Sequence, residues 1–330
     1  MQQATGSLPN LTDGYIMQNR NMASRRNFLR VMGFGGLAAM TGFSLKSVAD
    51  AGLKKVTILH TNDTHSRIDP YPAGDPNFPG MGGYARRAAL VNYIRDMDQE
   101  LLLLDAGDFF QGTPYYNMYG GELELKLMSK MGYDAATVGN HEFDNGLDGF
   151  LSVLPFADFP FITANLDFSD TILRGKTIPY KVFRKKGLRI GIYGLGIDPK
   201  GLVSRDLYGE TRYLDPVEVA RDVEETLKQK ENCDLIICLS HLGYAYEHGR
   251  ISDVRVAAHT QWTDIIIGGH THTLLDPPAV VANSQGMPVT IGQTGSGGVR
   301  LGVMNVYFEE ATGQKIVESY TTKISQKQEA

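Results

Sequence analysis

Val56-Thr-Ile-Leu-His60-Thr-Asn-Asp63-Thr-His65 begins as a run of β-branched and apolar residues and ends on an Asp and a His two apart. The same pattern, a strand-forming run that stops on metal-ligand side chains, recurs along the chain. Residues 101–104 lead to Gly107-Asp108, and 135–138 lead to Gly139-Asn140-His141-Glu142. Residues 235–239 lead to Ser240-His241, and 265–267 to Gly269-His270-Thr271-His272. In an open α/β sheet the ligand site lies at the carboxyl ends of strands, where loops begin. Five such ends can converge on one point, which makes an α/β fold the expectation.

Taken singly, Asp-x-His or Gly-Asp is ordinary turn chemistry. The stretch Gly139 to Asp144 is different, because four polar side chains in six residues make a poor loop and a worse core. On an extended segment alternate residues point the same way, so His270 and His272 can share a face that Thr271 leaves. Five of the eight histidines, His65, His141, His241, His270 and His272, fall in these segments. His60 closes a strand and reads as a core or hydrogen-bonded neighbour, while His248 and His259 lie in polar stretches. Carboxylate, amide and imidazole donors suit divalent ions such as Mn, Zn, Fe or Co rather than a thiolate site. The donors are too many for one ion and match two.

The segment from Val56 to Ile68 and the segment Tyr133-Asp-Ala-Ala-Thr-Val-Gly-Asn-His-Glu-Phe-Asp144 resemble those of the calcineurin-like metallophosphoesterases. Within these, the chain is similar to the 5′-nucleotidase family. Gly107-Asp-Phe-Phe-Gln-Gly-Thr113, Ser240-His-Leu-Gly243, Gly268-Gly-His-Thr-His272, Gln293-Thr-Gly295 and Leu301-Gly302 follow in the same order. The resemblance implies a four-layer α/β/β/α sandwich with two mixed β-sheets. It places Asp63, His65 and His272 on one metal and Asn140, His241 and His270 on the other. Asp108 is the candidate bridge, since a carboxylate has two oxygens to offer two ions about 3.5–4 Å apart. Asn140 adds a ligand oxygen without a charge, which leaves the site positive for a phosphate dianion.

Two such ions lower the pKa of water toward neutrality and so supply a nucleophile for in-line attack on phosphorus. His141 adjoins a ligand and is assigned to the charge that develops on the leaving oxygen, as hydrogen-bond donor or general acid. Asp144, three residues on, would orient it. Glu142 is expected to face away as a structural residue. Full-length relatives of this type carry a C-terminal domain that supplies phosphate-clamping arginines and a base-stacking aromatic pair. No such domain is expected within the 330 residues, and the single tryptophan, Trp262, reads as core. Nucleotides, UDP-sugars and cyclic phosphodiesters therefore stand together as expected substrates. A separate C-terminal-type substrate-binding domain is the expected partner. Two other classes are consistent with the sequence. One is a two-metal hydrolase of sulfate or thiosulfate esters, and the other is a non-catalytic subunit of a two-chain nucleotidase. The intact ligand set argues against the latter.

Composition bounds the rest. With 42% hydrophobic and 21% charged residues the chain can bury a sizeable core. Ser24-Arg-Arg-Asn-Phe-Leu-Arg30 precedes an uncharged stretch, 31–45, then Lys46 and Ala49-Asp50-Ala51. That stretch is too short and glycine-rich to span a membrane comfortably and reads as a signal segment of the twin-arginine type. Residues 1–51 are therefore set apart from one catalytic domain, 52–330, in a periplasmic or otherwise exported enzyme. Without them 27 basic and 35 acidic residues remain, a net of about −8, which disfavours binding to a nucleic-acid polymer. Cys233 and Cys238, five apart around one strand, are not expected to bridge.

Strands are expected at 55–60, 101–105, 160–165, 180–184, 188–196, 234–239, 264–268, 288–293, 299–308 and 315–323. Helices are expected at 84–98, 121–131, 215–231 and 250–259, and a further segment, 147–154, follows the Asn140 motif. Alternating units early and hairpins late point to two packed mixed sheets flanked by helices.

Overall fold

In the computed structural model, which describes residues 53–310 and 312–325, the last six residues of β1 (Leu53–Thr61) are all buried. A strand tolerates that only when both faces of its sheet are covered. β1 lies in the middle of a five-stranded sheet, beside β2 (Leu102–Asp105) in parallel and β12 (Arg300–Glu309) antiparallel. β3 (Ala135–Ala136) and β13 (Lys315–Lys323) close its two edges, in the order β13-β12-β1-β2-β3. A second sheet has the order β10-β11-β9-β8-β6-β5. Its strands are β5 (Tyr180–Lys185), β6 (Leu188–Leu195), β8 (Leu235–Ser240), β9 (Ile265–Ile267), β10 (Ala279–Ala282) and β11 (Pro288–Gly292). Both sheets are mixed. A two-stranded ribbon pairs β4 (Leu166–Asp167) with β7 (Arg212–Tyr213).

Side-chain alternation shows how the layers stack, because successive residues of a strand face opposite ways. Ile58, Leu102 and Leu104 of the first sheet share one buried cluster with Ile190, Ile237, Ile265 and Ile267 of the second. The sheets therefore pack face to face. Leu59 and Leu103 point the other way, onto α1 (Tyr84–Met97) and α3 (Glu122–Met131) through Val91, Leu125 and Met128. On the far side, Tyr193, Ile236 and Ile266 pack on α6 (Pro216–Glu225) and α7 (Asp253–His259) through Ala220 and Val256. This is the α/β/β/α order. Cys233 and Cys238 are buried and free within that last cluster, and Trp262 packs half-buried against it.

Most expected elements lie within a few residues of their places. One is corrected. Residues 160–165 do not form a strand, because the segment is shared between two sheets. Ile162 N–H donates to Ala136 of the first sheet, whereas Ala164 N–H donates to Gly194 of the second. The long helix expected at 215–231 is α6 continued by a wide turn, Thr226–Lys230, and the helix expected at 250–259 starts at its Ser252 cap. Strand β10, the ribbon and the short helices α2 (Pro114–Tyr119) and α5 (Arg205–Tyr208) lacked a periodic signal. α4 (Gly146–Val153) occupies the segment that follows the Asn140 motif. The signal-type segment lies outside the described residues, and no helix among those described is long and apolar enough to cross a membrane.

His60 alternates with Ile58 and so faces the space between the sheets. It stands opposite Gly302, where a Cβ would come within 2.1 Å of its Nε2. Its Nδ1 has no hydrogen-bond partner, and burial pushes its pKa from 6.5 down to about 4. The unfolded imidazole takes up its proton first as pH falls, so this neutral His60 stabilises the fold above pH 6.5. That contribution drains away between pH 6.5 and 4 and amounts to about 3 kcal/mol. Denaturant unfolding of the metal-free protein at pH 7 and pH 4 should show the wild type losing that much more than His60→Leu. Equal losses would contradict the assignment.

Candidate metal centre

The strand ends of β1, β2, β8 and β9 point at one spot, and the chain turns sharply at each. Asp63, His65, Asp108, His270 and His272 all adopt left-handed backbone, with φ of 49°, 46°, 57°, 69° and 52°. Each such residue costs about 1–2 kcal/mol unless its surroundings hold it. Here they do. Asp63 N–H donates to Gly107 O at 2.9 Å and His65 N–H to Asp108 O at 3.1 Å, which zips the two loops together. His270 N–H donates to both oxygens of Asp63, each at 3.0 Å. At Gly139 a Cβ would lie 2.3 Å from Asp108 Oδ1, so only glycine lets the third loop close on the second.

Glu142 is the anchor. Its buried carboxylate accepts N–H groups from Gly139 (2.6 Å), Asp108 (2.9 Å), Phe109 (3.1 Å) and Phe110 (3.3 Å). It faces away from the site, as expected, but its hold on the Asp108 turn was not visible in the sequence. Asn62 and Gln293 were also passed over as supports. Asn62 Nδ2 donates to Asp63 Oδ2 at 2.6 Å, and its Oδ1 accepts from Thr294 N–H at 2.8 Å. Gln293 Nε2 donates to Gly269 O at 2.7 Å, while its oxygen accepts from Thr273 N–H. An amide side chain at the buried end of a strand was the available signal.

All nine residues singled out by the sequence come together. Asp63, His65 and His272 present ligand atoms within 4.8 Å of one another, and so do Asp108, His241 and His270. A third set, His65, Asp108 and His141, overlaps both. His65 Nε2 and His272 Nε2 face each other at 2.9 Å, and His272 Nε2 lies 3.4 Å from Asp63 Oδ1. Asn140 Oδ1 meets His270 Nδ1 at 2.8 Å. His241 Nε2 is 3.0 Å from Asp108 Oδ2. His141 Nδ1 is 2.8 Å from Asp144 Oδ2, with both side chains partly open to solvent.

These donors fit a metal. His241 Nδ1 is 2.7 Å from Ala106 O, where it can donate its proton, and this turns the buried Nε2 toward Asp108 and the other donors. A backbone carbonyl that fixes the tautomer and aims the other nitrogen is the usual support of a metal-binding imidazole. The charges of these groups act on each other. Burial would raise Asp108, yet the adjoining His241 holds it well below the carboxylate range. Burial would lower His241, yet Asp108 lifts it to about 10. His270, buried and beside His241, drops to about 4. His141 is also opposed by burial but is raised to about 9 by the Asp144 hydrogen bond and the Asp108 charge. Divalent metal ions are what this donor set implies.

Two facing mixed sheets that gather imidazoles and carboxylates at their strand ends define a metal-dependent hydrolase-type scaffold. The chain belongs to the calcineurin-like phosphoesterase family, whose sequence model matches residues 56–274. It is 33% identical to a snake venom 5′-nucleotidase of Gloydius brevicauda over 79% of this chain and 46% of that protein. Among solved structures it is similar to a 5′-nucleotidase precursor from Thermus thermophilus, with a TM-score of 0.73 and 34% identity. That likeness covers 81% of this chain and 54% of the other. The calcineurin-like phosphoesterase YfkN from Bacillus subtilis gives a TM-score of 0.67 at 28% identity, over 82% and 91% of the two chains. This chain thus spans about half the length of the curated relatives it matches.

Glu142→Gln would leave one oxygen for four N–H groups and turn an amide against the rest. It is expected to cost about 2–4 kcal/mol in denaturant unfolding, and bound metal should fall with the Asp108 turn. A stability change within about 0.5 kcal/mol, the range of an ordinary surface substitution, with full metal content would exclude the anchor role.

Proposed function

We propose that this chain is an exported two-metal phosphoesterase that hydrolyses phosphate monoesters, nucleotides foremost. The observation that carries the reading is the meeting of two ligand groups, Asp63–His65–His272 and Asp108–His241–His270, linked by a third that joins His65 to Asp108, with the His141–Asp144 pair at their edge. Asp63, His65 and His272 would hold one ion, Asn140, His241 and His270 the other, and Asp108 would serve both. Bound there, the ions supply a nucleophile near neutral pH and neutralise phosphate charge. The chain's own groups do the rest. The amide of Asn140 keeps the site's positive charge undiluted, and the carbonyl of Ala106 keeps His241 aimed. His141 donates a proton or hydrogen bond to the departing oxygen, oriented by Asp144. The names of the relatives support a nucleotide substrate. A single catalytic domain over 52–330, export through the segment before it, and a C-terminal-type domain that completes nucleoside selectivity belong to the same reading.

Asp108→Ala should abolish binding of both ions, whereas His272→Ala should weaken only one. Metal analysis of the reconstituted variants distinguishes these, and a wild type that holds one ion or fewer would overturn the two-metal reading. His141→Ala should keep its metals and its affinity for phosphate while losing roughly 10²–10³ in kcat on alkyl phosphates. The loss should be smaller on nitrophenyl phosphate, whose leaving group needs less help. The same panel, read for sulfate and thiosulfate release as well as phosphate, separates the other ester chemistries. An equal His141→Ala loss on both phosphates would exclude the donor role.

A further inference from the structure

The loop that leaves β8 carries Tyr244, Tyr246 and Arg250 past the His241 and His270 ligand group. The Tyr244 N–H is held by Thr271 Oγ1 at 3.0 Å, between His270 and His272 in sequence. Tyr246 is pinned closer still. Its hydroxyl donates at 2.8 Å to the carbonyl of Leu242, the residue after His241. A Cβ at Gly243 would sit 2.2 Å from that hydroxyl, so the phenol lies directly on the loop's first turn. The Arg250 guanidinium lies over the Tyr246 ring, 4.8 Å from its centroid, and the residue is exposed.

Arg250, like Arg67 on Tyr71, is an arginine stacked on a tyrosine with no ion pair among the described residues. Arg189, Arg205, Arg212 and Arg300 each rest on a carboxylate. Among the described residues Arg250 has neither an ion pair nor a hydrogen bond, and the ring of Tyr246 is its contact. The loop holds it near the site, since a Cβ at Gly243 that would touch the Tyr246 hydroxyl would also lie 2.8 Å from Thr271 Cγ2, between His270 and His272 in sequence. A cation with no acid beside a centre suited to divalent ions is repelled until an anion lies between them. Stacking on a phenol fixes the guanidinium plane and leaves its edge N–H groups free for the paired oxygens of a phosphate.

We propose that Arg250 is a substrate-binding residue that clamps the phosphate group against the metal centre, so that the catalytic domain supplies an anion contact of its own. The assignment rests on the phosphoesterase reading for its substrate but not for its ligand, since inorganic phosphate has the same charge and oxygens. A group that holds the phosphate throughout stabilises ground state and transition state alike, and its loss appears in KM rather than kcat.

The test uses the metal-loaded full chain and inorganic phosphate as probe, with Arg250→Gln and Arg250→Lys compared by calorimetry. Because Arg250 is exposed and makes no ion pair or hydrogen bond among the described residues, both variants should fold and keep full metal content. Arg250→Gln should weaken phosphate binding by about 10–100-fold, the range for a charged hydrogen-bonded contact. Arg250→Lys should recover part of that affinity but not all, since it loses the paired donors. On an ester the chain hydrolyses, KM should rise by the same factor with kcat little changed. Unaltered phosphate affinity in Arg250→Gln would overturn the proposal even where hydrolysis is intact. If the wild type hydrolyses no phosphoester, the functional reading fails, and the phosphate affinities still decide the clamp.

Discussion

Four backbone N–H groups converge on one buried carboxylate, that of Glu142, and the rest of the site depends on it. Three of the donors belong to the turn that carries Asp108, and the fourth is Gly139, just before Asn140. A left-handed aspartate between two other loops would relax without such a hold. With it, the Asp108 turn also becomes a fixed surface for the 63–66 loop, whose N–H groups bond to Gly107, Asp108 and Phe109 in succession. The strain at five ligand positions is thus held by hydrogen bonds that are buried and have no water to compete for them.

The two sheets supply the other half of the constraint. Their facing side chains are nearly all Ile, Leu and Val, fully removed from water, and strands covered on both faces have no freedom to slide. Register then fixes where each strand stops. β8 is parallel to β9, with Leu239 beside Ile267, so His241 and the His270 turn emerge on the same edge. β1 and β2 do the same in the other sheet, with Thr61 beside Asp105. The site therefore lies along the seam between the sheets, and each sheet contributes ligands to it.

Charge is distributed to match. Acidic and imidazole groups offset each other across the centre, most tightly at Asp108 and His241. The imidazoles that bind an ion must give up their protons first, so loading with metal and unloading of protons are one process. His141 is tied by its Nδ1 to Asp144, while its ring also lies beside His65 and Asp108. Arg250, on the loop that follows His241, stacks on Tyr246 with no ion pair among the described residues.

The ligand types were legible in the chain because metal coordination demands particular atoms, and runs such as 265–267 announce a buried strand by composition alone. The α/β class and the nine candidate residues followed, since a strand that ends in Asp or His has to leave that side chain at a sheet edge. The segment 160–165 was misread because its composition is strand-like, while its hydrogen bonds are divided between two sheets, a matter of long-range geometry. The grouping of His65 with His272 across 207 positions was legible only through family resemblance. The role of Glu142 as an N–H anchor and the isolation of Arg250 on a tyrosine were decided by the tertiary structure alone. Sequence specifies which atoms can bind, but which of them face one another, and which are left without a partner, depends on how distant strands are brought into register.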